Sequence, residues 1–417
     1  MCENGLDAPA GKKILVAGAG NIGLGVVGRL FGEAGWHVTF YRKNQGRLRK
    51  LRDMGYYVVT QKDPSRESYT YIYGFECVFE NCLAEKIVET DVMACCVYED
   101  AFPDICSKIG EALKLKAGSG RNNKLDILLC VNQLNAARQF HRYIAQEVEG
   151  NPGAERLLDT ATGISRVLVL SAAMPDGGAG KRLPCEVICV SGDGSLEIER
   201  DTFLGAQSSM KGISFTDGVG DKLVRKVYLG NMRHTMAACM GALKGYQTID
   251  ECHQDPEIRG SILAAFKEAE KGYFKEYGIE KSEQEEYWNW KKRLDEKLDI
   301  RTGDQIRRIV SNPAKKLGRE ERFTGPALLC VKHGITPEYL ALGIASCLML
   351  TEDYGSERRI IQSCIGELGI ERAVREFCGL RQSEREEAYL TEEIVRQYKK
   401  LEDKTRKEER QNEAVQL

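Results

Sequence analysis

The chain has no excess of either charge. Its 60 Lys and Arg face 62 Asp and Glu, leaving a net charge of -2. A general nucleic-acid or membrane-surface binder normally needs a basic excess, so neither partner is expected. No run reaches the roughly 18 continuous apolar residues of a membrane span. The start, Met1 to Lys13, is polar, and the first apolar run is short and broken by glycines, so no secretory signal is expected. The 15 cysteines contain no Cys-x-x-Cys pair. Several lie inside apolar runs (Cys95, Cys96, Cys130, Cys189, Cys347), as small buried hydrophobes do in a reducing compartment. Neither a disulfide framework nor a metal site is expected, and the protein reads as soluble and cytoplasmic. Internal repeats and low-complexity tracts are absent too.

What is present is enough for two or three domains: 417 residues, 42% of them apolar. The first half alternates short apolar runs with helical patterns. Strands are expected at 14–17, 36–41, 56–60, 69–79, 91–97, 125–131 and 166–171, with 185–190 and 196–199 as the last ones, joined by a turn at 191–194. A helix is expected from Asn21 to Ala34, ended by Gly35. This order predicts a parallel sheet with covered faces. Beyond about residue 205, apolar residues recur at helical spacing, as in Ile262, Ala265, Phe266 and Ala269, and strand signals nearly vanish. The expected architecture is α/β: a Rossmann-type dinucleotide-binding domain with extra strands over 1–204, then a mostly α-helical domain over 205–417. The tail from Tyr398 to Arg410, dense in both charge signs, reads as a solvated, salt-bridged, fraying last helix, and Trp288 and Trp290 as packed on a helix flank.

The strand from Ile14 runs into Gly18-Ala19-Gly20-Asn21-Ile22-Gly23 and then into a helix. In such a unit the first glycine permits the tight turn and the second lets backbone approach a pyrophosphate. The third lets helix pack on sheet, and the helix N-terminus faces the phosphates. A ligand-free glycine turn, or a flavin or other adenosyl site, would use the same residues; the strand–turn–helix context favours a nicotinamide dinucleotide. The acid that usually bonds the ribose hydroxyl after the second strand is missing. Tyr41-Arg42-Lys43-Asn44 stands there. Arg42 and Lys43 are either ordinary surface cations or partners of a 2′-phosphate, so NAD or NADP is expected, with NADP slightly favoured by Arg42.

Lys226, Asn231 and His234 open the helical half. On a regular α-helix Asn231 falls roughly 140° from Lys226, and His234 roughly 80° from it. A base, an amide and an imidazole on one side suit alcohol–carbonyl chemistry. From spacing alone, a solvated lysine with a core-edge histidine is the stronger reading.

These motifs together resemble the polyol-specific long-chain dehydrogenases. The glycine turn followed by Gly25 and Gly28 is similar to that family's opening. Lys226-x4-Asn231-x2-His234 resembles its catalytic signature, and Gly245-Tyr-Gln-Thr-Ile249 its following stretch. Asn312-Pro-Ala-Lys315-Lys316-Leu317, with Arg322 beyond, is similar to its Pro-x-Arg-Lys-Leu segment, and Cys130-Val-Asn132 stands at its Cys-Glu-Asn. The resemblance covers about residues 12 to 350. It implies a metal-free, NAD(P)-dependent interconversion of a sugar-alcohol phosphate and a ketose phosphate, with mannitol 1-phosphate and fructose 6-phosphate as the first pair.

It further implies Lys226 as general base or acid, Asn231 and Asn132 as donors to the oxygen, and His234 as the group that orients the hydroxyl. An ordinary lysine titrates near 10.4; service near neutrality needs about 7–8, a difference of roughly 4 kcal/mol that burial can supply. Val97 is expected beside the cofactor. Arg166, Lys315, Lys316 and Arg322 are expected near the phosphate of a polyol or ketose substrate, on a monomeric protein.

Several positions depart from the family. Val131, Ser165 and Ser311 replace an acid, an acid and an arginine; Tyr98 replaces a glycine, Leu24 a basic residue and Arg42 an aspartate. The alternatives are therefore a dehydrogenase of another polyol or a sugar acid, and a non-catalytic dinucleotide sensor. A sensor has no need of the lysine.

Overall fold

A computed structural model describes residues 11–63, 66–191, 194–208, 210–279, 281 and 283–416. The centre of the turn expected at 191–194 lies outside them. Twelve strands are described: β1 Lys13–Ala17, β2 His37–Tyr41, β3 Tyr57–Asp63, β4 Arg66–Ile72, β5 Glu76–Cys77, β6 Val92–Cys95, β7 Leu125–Leu129, β8 Thr162–Val169, β9 Ala172–Pro175, β10 Val187–Ser191, β11 Leu196–Glu199 and β12 Ile213–Thr216.

Eight of these form the main sheet, in the order β12-β11-β8-β7-β6-β1-β2-β5. From β5 to β8 all pairs are parallel, while β11 runs antiparallel to β8 and carries β12 parallel to itself. The parallel centre reads in the sequence because both its faces are covered. Along β1, Ile14 and Val16 enter one core and Leu15 and Ala17 the other. The strands expected at 56–60, 69–79 and 185–190 do not join this sheet, apart from β5. They build a second sheet, β4-β3-β10-β9. The helix from Gly23 to Glu33 packs against both sheets. A Cβ at Gly25 would lie 2.7 Å from Ile188 Cγ2 of β10, and one at Gly28 would lie 2.4 Å from Phe40 Cζ of β2.

The chain divides into two compact units between Leu223 and Val224, beyond the expected boundary at 204. Two features hold residues 204–223 to the first unit. Buried Asp126 on β7 accepts from the backbone N–H groups of Leu204 (2.7 Å) and Gly205 (2.9 Å). Ile213–Thr216, which no expected strand covered, pairs with β11.

The second unit is helical. Its centre is the helix Met232–Leu243, buried nearly all round. Pro256–Tyr277, Thr324–Lys332, Glu338–Met349 and the last helix, Arg385–Gln416, add to the same core, with Ile262, Ala265, Phe266 and Ala269 buried as their spacing predicts. The last helix buries Leu390 and Ile394, and Lys404 Nζ reaches Glu257 at 2.6 Å. Trp290 packs on this core, whereas Trp288 is 56% exposed. All fourteen cysteines among the described residues are free thiols. No helix among them is long and apolar enough to cross a membrane.

Candidate active site

The glycine turn leaves β1 at the point where the strand order reverses, with β2 on one side and β6 on the other. Gly18 has φ +98°, a conformation that favours glycine. Its N–H and that of Ala19 both donate to the Tyr41 carbonyl at 3.0 Å, tying the turn to the end of β2. A Cβ at Gly18 would lie 2.4 Å from the Cys96 carbonyl oxygen, and one at Gly23 2.2 Å from that of Gly18. Gly20 differs: the nearest atom to its would-be Cβ is 3.9 Å away. Two glycines thus close the turn, and the third leaves a bare, open backbone beside a helix start at Asn21 and Ile22. That arrangement fits a pyrophosphate. Val97 follows β6 and lies against Gly18, and exposed Asn132 follows β7. Since β1, β2, β6 and β7 are parallel, all these residues share one sheet edge.

Arg42 follows β2 on that same edge, but its charge is engaged. Nη1 donates to Glu186 Oε1 at 2.8 Å, and the two side chains are 15% and 21% exposed. Arg47 Nε approaches the same oxygen at 3.6 Å. Lys43 pairs in the open with Asp104 at 2.6 Å. The expectation that Arg42 stands ready for a 2′-phosphate meets a carboxylate that sequence reasoning missed, because Glu186 lies 144 residues away.

In the second unit, Lys226–Asn231 is not regular α-helix. It is a π-helical stretch closed by i→i+5 hydrogen bonds, which then continues as the α-helix Met232–Leu243. The difference matters to the site. An i→i+5 turn is wider than a regular one, so Asn231 falls nearer to the bearing of Lys226 than the roughly 140° of an α-helix. His234, three residues on in α geometry, continues the same face. Lys226, Asn231 and His234 are all partly exposed, between buried Val227, Tyr228 and Leu229 and the buried core helix. The expectation from spacing assumes a regular helix; the turn that carries Lys226 and Asn231 is wider.

His234 has a partner that no local motif announced. Its Nε2 lies 3.2 Å from Asp304 Oδ2. Arg308 grips the same carboxylate through Nε, at 2.7 Å to Oδ1, and through Nη2 to Oδ2. Burial alone would push the Asp304 carboxyl up; the hydrogen bonds from His234 and Arg308 outweigh it and hold it at about 2. Asp304 is thus an ionised, fixed acceptor that orients the imidazole.

The expected phosphate partners are differently disposed. Lys316 is buried, its ammonium donates to the Ser311 carbonyl, and burial, with Arg322 nearby, lowers it to about 8. Arg322 pairs with Glu321 at 3.1 Å and reaches Thr235 Oγ1, next to His234, at 3.4 Å. Lys315 is half-buried on the same short helix, Pro313–Leu317. Arg166, on β8 of the first unit, pairs with Glu199 at 2.9 Å.

Comparison with known proteins bears on the family and the fold. Residues 12–189 match the mannitol dehydrogenase Rossmann domain and residues 222–368 the mannitol dehydrogenase C-terminal domain. The mannitol-1-phosphate 5-dehydrogenase of Thermoanaerobacter pseudethanolicus is 27% identical over 392 residues, covering 94% of this chain and 98% of that protein. The enzyme of the same name from Bacillus velezensis is 29% identical, covering 87% and 94%. Among solved structures, the mannitol 2-dehydrogenase of Pseudomonas fluorescens, a ternary complex with NAD and D-mannitol, shares the fold. Its TM-score is 0.78 at 15% identity, covering 95% of this chain and 93% of that one. A D-sorbitol dehydrogenase aligns with a TM-score of 0.65 at 14% identity, covering 95% of each chain. Fold and matches define a dinucleotide-binding oxidoreductase. The chain belongs to the mannitol dehydrogenase family and is a polyol dehydrogenase.

Proposed function

We propose that the chain interconverts a sugar-alcohol phosphate and the corresponding ketose phosphate, with mannitol 1-phosphate and fructose 6-phosphate as the first pair. What supports this chemistry is the wide turn that carries Lys226 and Asn231, with His234 three residues on and Asp304 bonded to its imidazole. The substrate follows from the two relatives named mannitol-1-phosphate 5-dehydrogenase.

A nicotinamide dinucleotide, when bound, supplies the hydride acceptor or donor; Gly18 to Gly23 and Val97 are its proposed contacts. In oxidation, neutral Lys226 takes the hydroxyl proton at Nζ; in reduction, the ammonium returns it. Asn231 donates to the oxygen as charge gathers there. Asn132 keeps the role the resemblance gives it, a second amide donor. His234, held by Asp304, orients the hydroxyl. No protein-bound metal is needed in this scheme. The Arg42–Glu186 pair moves the cofactor proposal from NADP(H) to NAD(H). A monomer is the proposed working unit, checked by light scattering on the eluting protein.

A second reading has its own support. Arg322 is already paired with Glu321, which favours an unphosphorylated polyol or a sugar acid. Purified protein with NADH and a panel of ketose phosphates, free ketoses and keto-acids separates the two. Oxidation of NADH with fructose 6-phosphate is the expected result. Turnover only without phosphate moves the answer to the second reading, and dinucleotide binding without any turnover means a sensor. Lys226→Ala should cost about 100-fold or more in kcat; full activity would sink the mechanism.

A further inference from the structure

The end of β2 lacks the acid that usually bonds the ribose hydroxyl, yet a carboxylate is present there. We propose that Glu186, at the head of β10 in the second sheet, sets the choice between the two nicotinamide dinucleotides. The inference rests on the cofactor reading above and names the group that decides it.

Arg42 begins where the glycine turn is tied down, since Gly18 and Ala19 both bond the Tyr41 carbonyl. Its guanidinium and that of Arg47 converge on Glu186 Oε1, at 2.8 and 3.6 Å. Two guanidinium groups closing on one anion form the arrangement that grips a phosphate monoester. Here the anion is built in. Glu186 is fixed through its backbone, because its carbonyl accepts from Val58 N–H at 3.0 Å and Val187 then pairs with Val58 in the sheet. Asn44 Oδ1 caps the helix that carries Arg47, accepting from Arg47 N–H at 3.1 Å. Sheet, strand end and helix start therefore each deliver one member of the cluster.

A 2′-phosphate brought to these arginines meets a carboxylate already between them, and like charges at that range repel strongly. A 2′-hydroxyl carries no charge and can donate to the same carboxylate. Glu186 thus replaces, from another sheet, the acid that β2 lacks, and it cancels the cation that stands in that acid's place.

The test is dinucleotide binding, followed by fluorescence titration, and kcat/KM with NADH and NADPH. The wild type, Glu186→Gln, Glu186→Asp, Arg42→Ala and the double variant E186Q/R42A are compared, with thermal melts confirming folding. The wild type should prefer NADH. Glu186→Gln should raise the NADPH-to-NADH ratio about ten-fold or more, since it removes the opposing charge at constant shape. Glu186→Asp should keep the NADH preference, and E186Q/R42A should lose the gain. An unchanged ratio in Glu186→Gln, or a wild type that prefers NADPH, overturns the assignment. A wild type that binds neither dinucleotide overturns the cofactor reading itself and this assignment with it. A melt lowered in Glu186→Gln leaves the ratio readable, because both cofactors meet the same folded fraction.

Discussion

Replacing Asp304 by Asn tests the link between fold and chemistry at one atom pair. The Asp304 side chain is 8% exposed and accepts from both His234 and Arg308. Its pKa falls from 3.8 to about 2, which corresponds to roughly 2 kcal/mol of preference for the charged form in the folded protein. His234 and Arg308 are 41% and 58% exposed, so solvent screens part of this, and about 1 kcal/mol is the expected loss in D304N at pH 7. The sign follows from the lowered value. The contribution is complete above 3.8, the unfolded value, and disappears as pH falls through about 2. Urea unfolding of both proteins should therefore show a gap near neutrality that narrows toward pH 3. Kinetics give an independent readout. An amide can present its NH2 group to Nε2 and release the ring, so kcat should fall about ten-fold while dinucleotide affinity stays unchanged. A D304N protein with wild-type stability and wild-type kcat would refute the reasoning.

The glycine turn gives a paired prediction. Gly20→Ala should melt with the wild type yet bind dinucleotide about ten-fold more weakly, because its Cβ enters open space that a phosphate would need. Gly23→Ala, whose Cβ would meet the Gly18 carbonyl at 2.2 Å, should cost about 2 kcal/mol in unfolding experiments. Lys316 is lowered from 10.5 to about 8 by burial, so its folded form sheds a proton that the unfolded chain keeps. Stability should rise between pH 8 and 10.5 by at most roughly 3 kcal/mol, and Lys316→Met should flatten that rise in denaturant titrations across the range.

Much of this was legible in the sequence, for reasons that can be named. β1 and its parallel neighbours β2 and β6 are short, mostly apolar runs (Ile14 to Ala17, Val38 to Tyr41, Val92 to Cys95) because both their faces are covered, and such runs stand out. The glycine turn is legible because Gly18 and Gly23 each face a carbonyl at a distance no side chain tolerates. Helix periodicity marked the second unit because its helices bury one face around Met232–Leu243. What escaped was set by partners far along the chain. Ile213–Thr216 is too short to signal a strand and forms one because β11 is there to pair with it. Leu204 and Gly205 look like a linker until Asp126 binds their amides. Arg42 looks free until Glu186 meets it, and His234 lies 70 residues from the Asp304 that holds it. Ion pairs of this kind leave no periodicity to find.

The wide turn at Lys226–Asn231 also bears on how such a chain can change over time. A turn that holds five residues where an ordinary helix holds fewer is a counting device. Deleting one residue between Val227 and Gly230 would let regular helix form, with the lysine and the asparagine four positions apart and about 40° round the axis, so the two would keep one face. The costlier change keeps all five steps and loses the wide turn, because regular helix then carries Asn231 roughly 140° from Lys226. The spacing of the two residues and the width of the turn are therefore linked, and a chain that alters one has to alter the other.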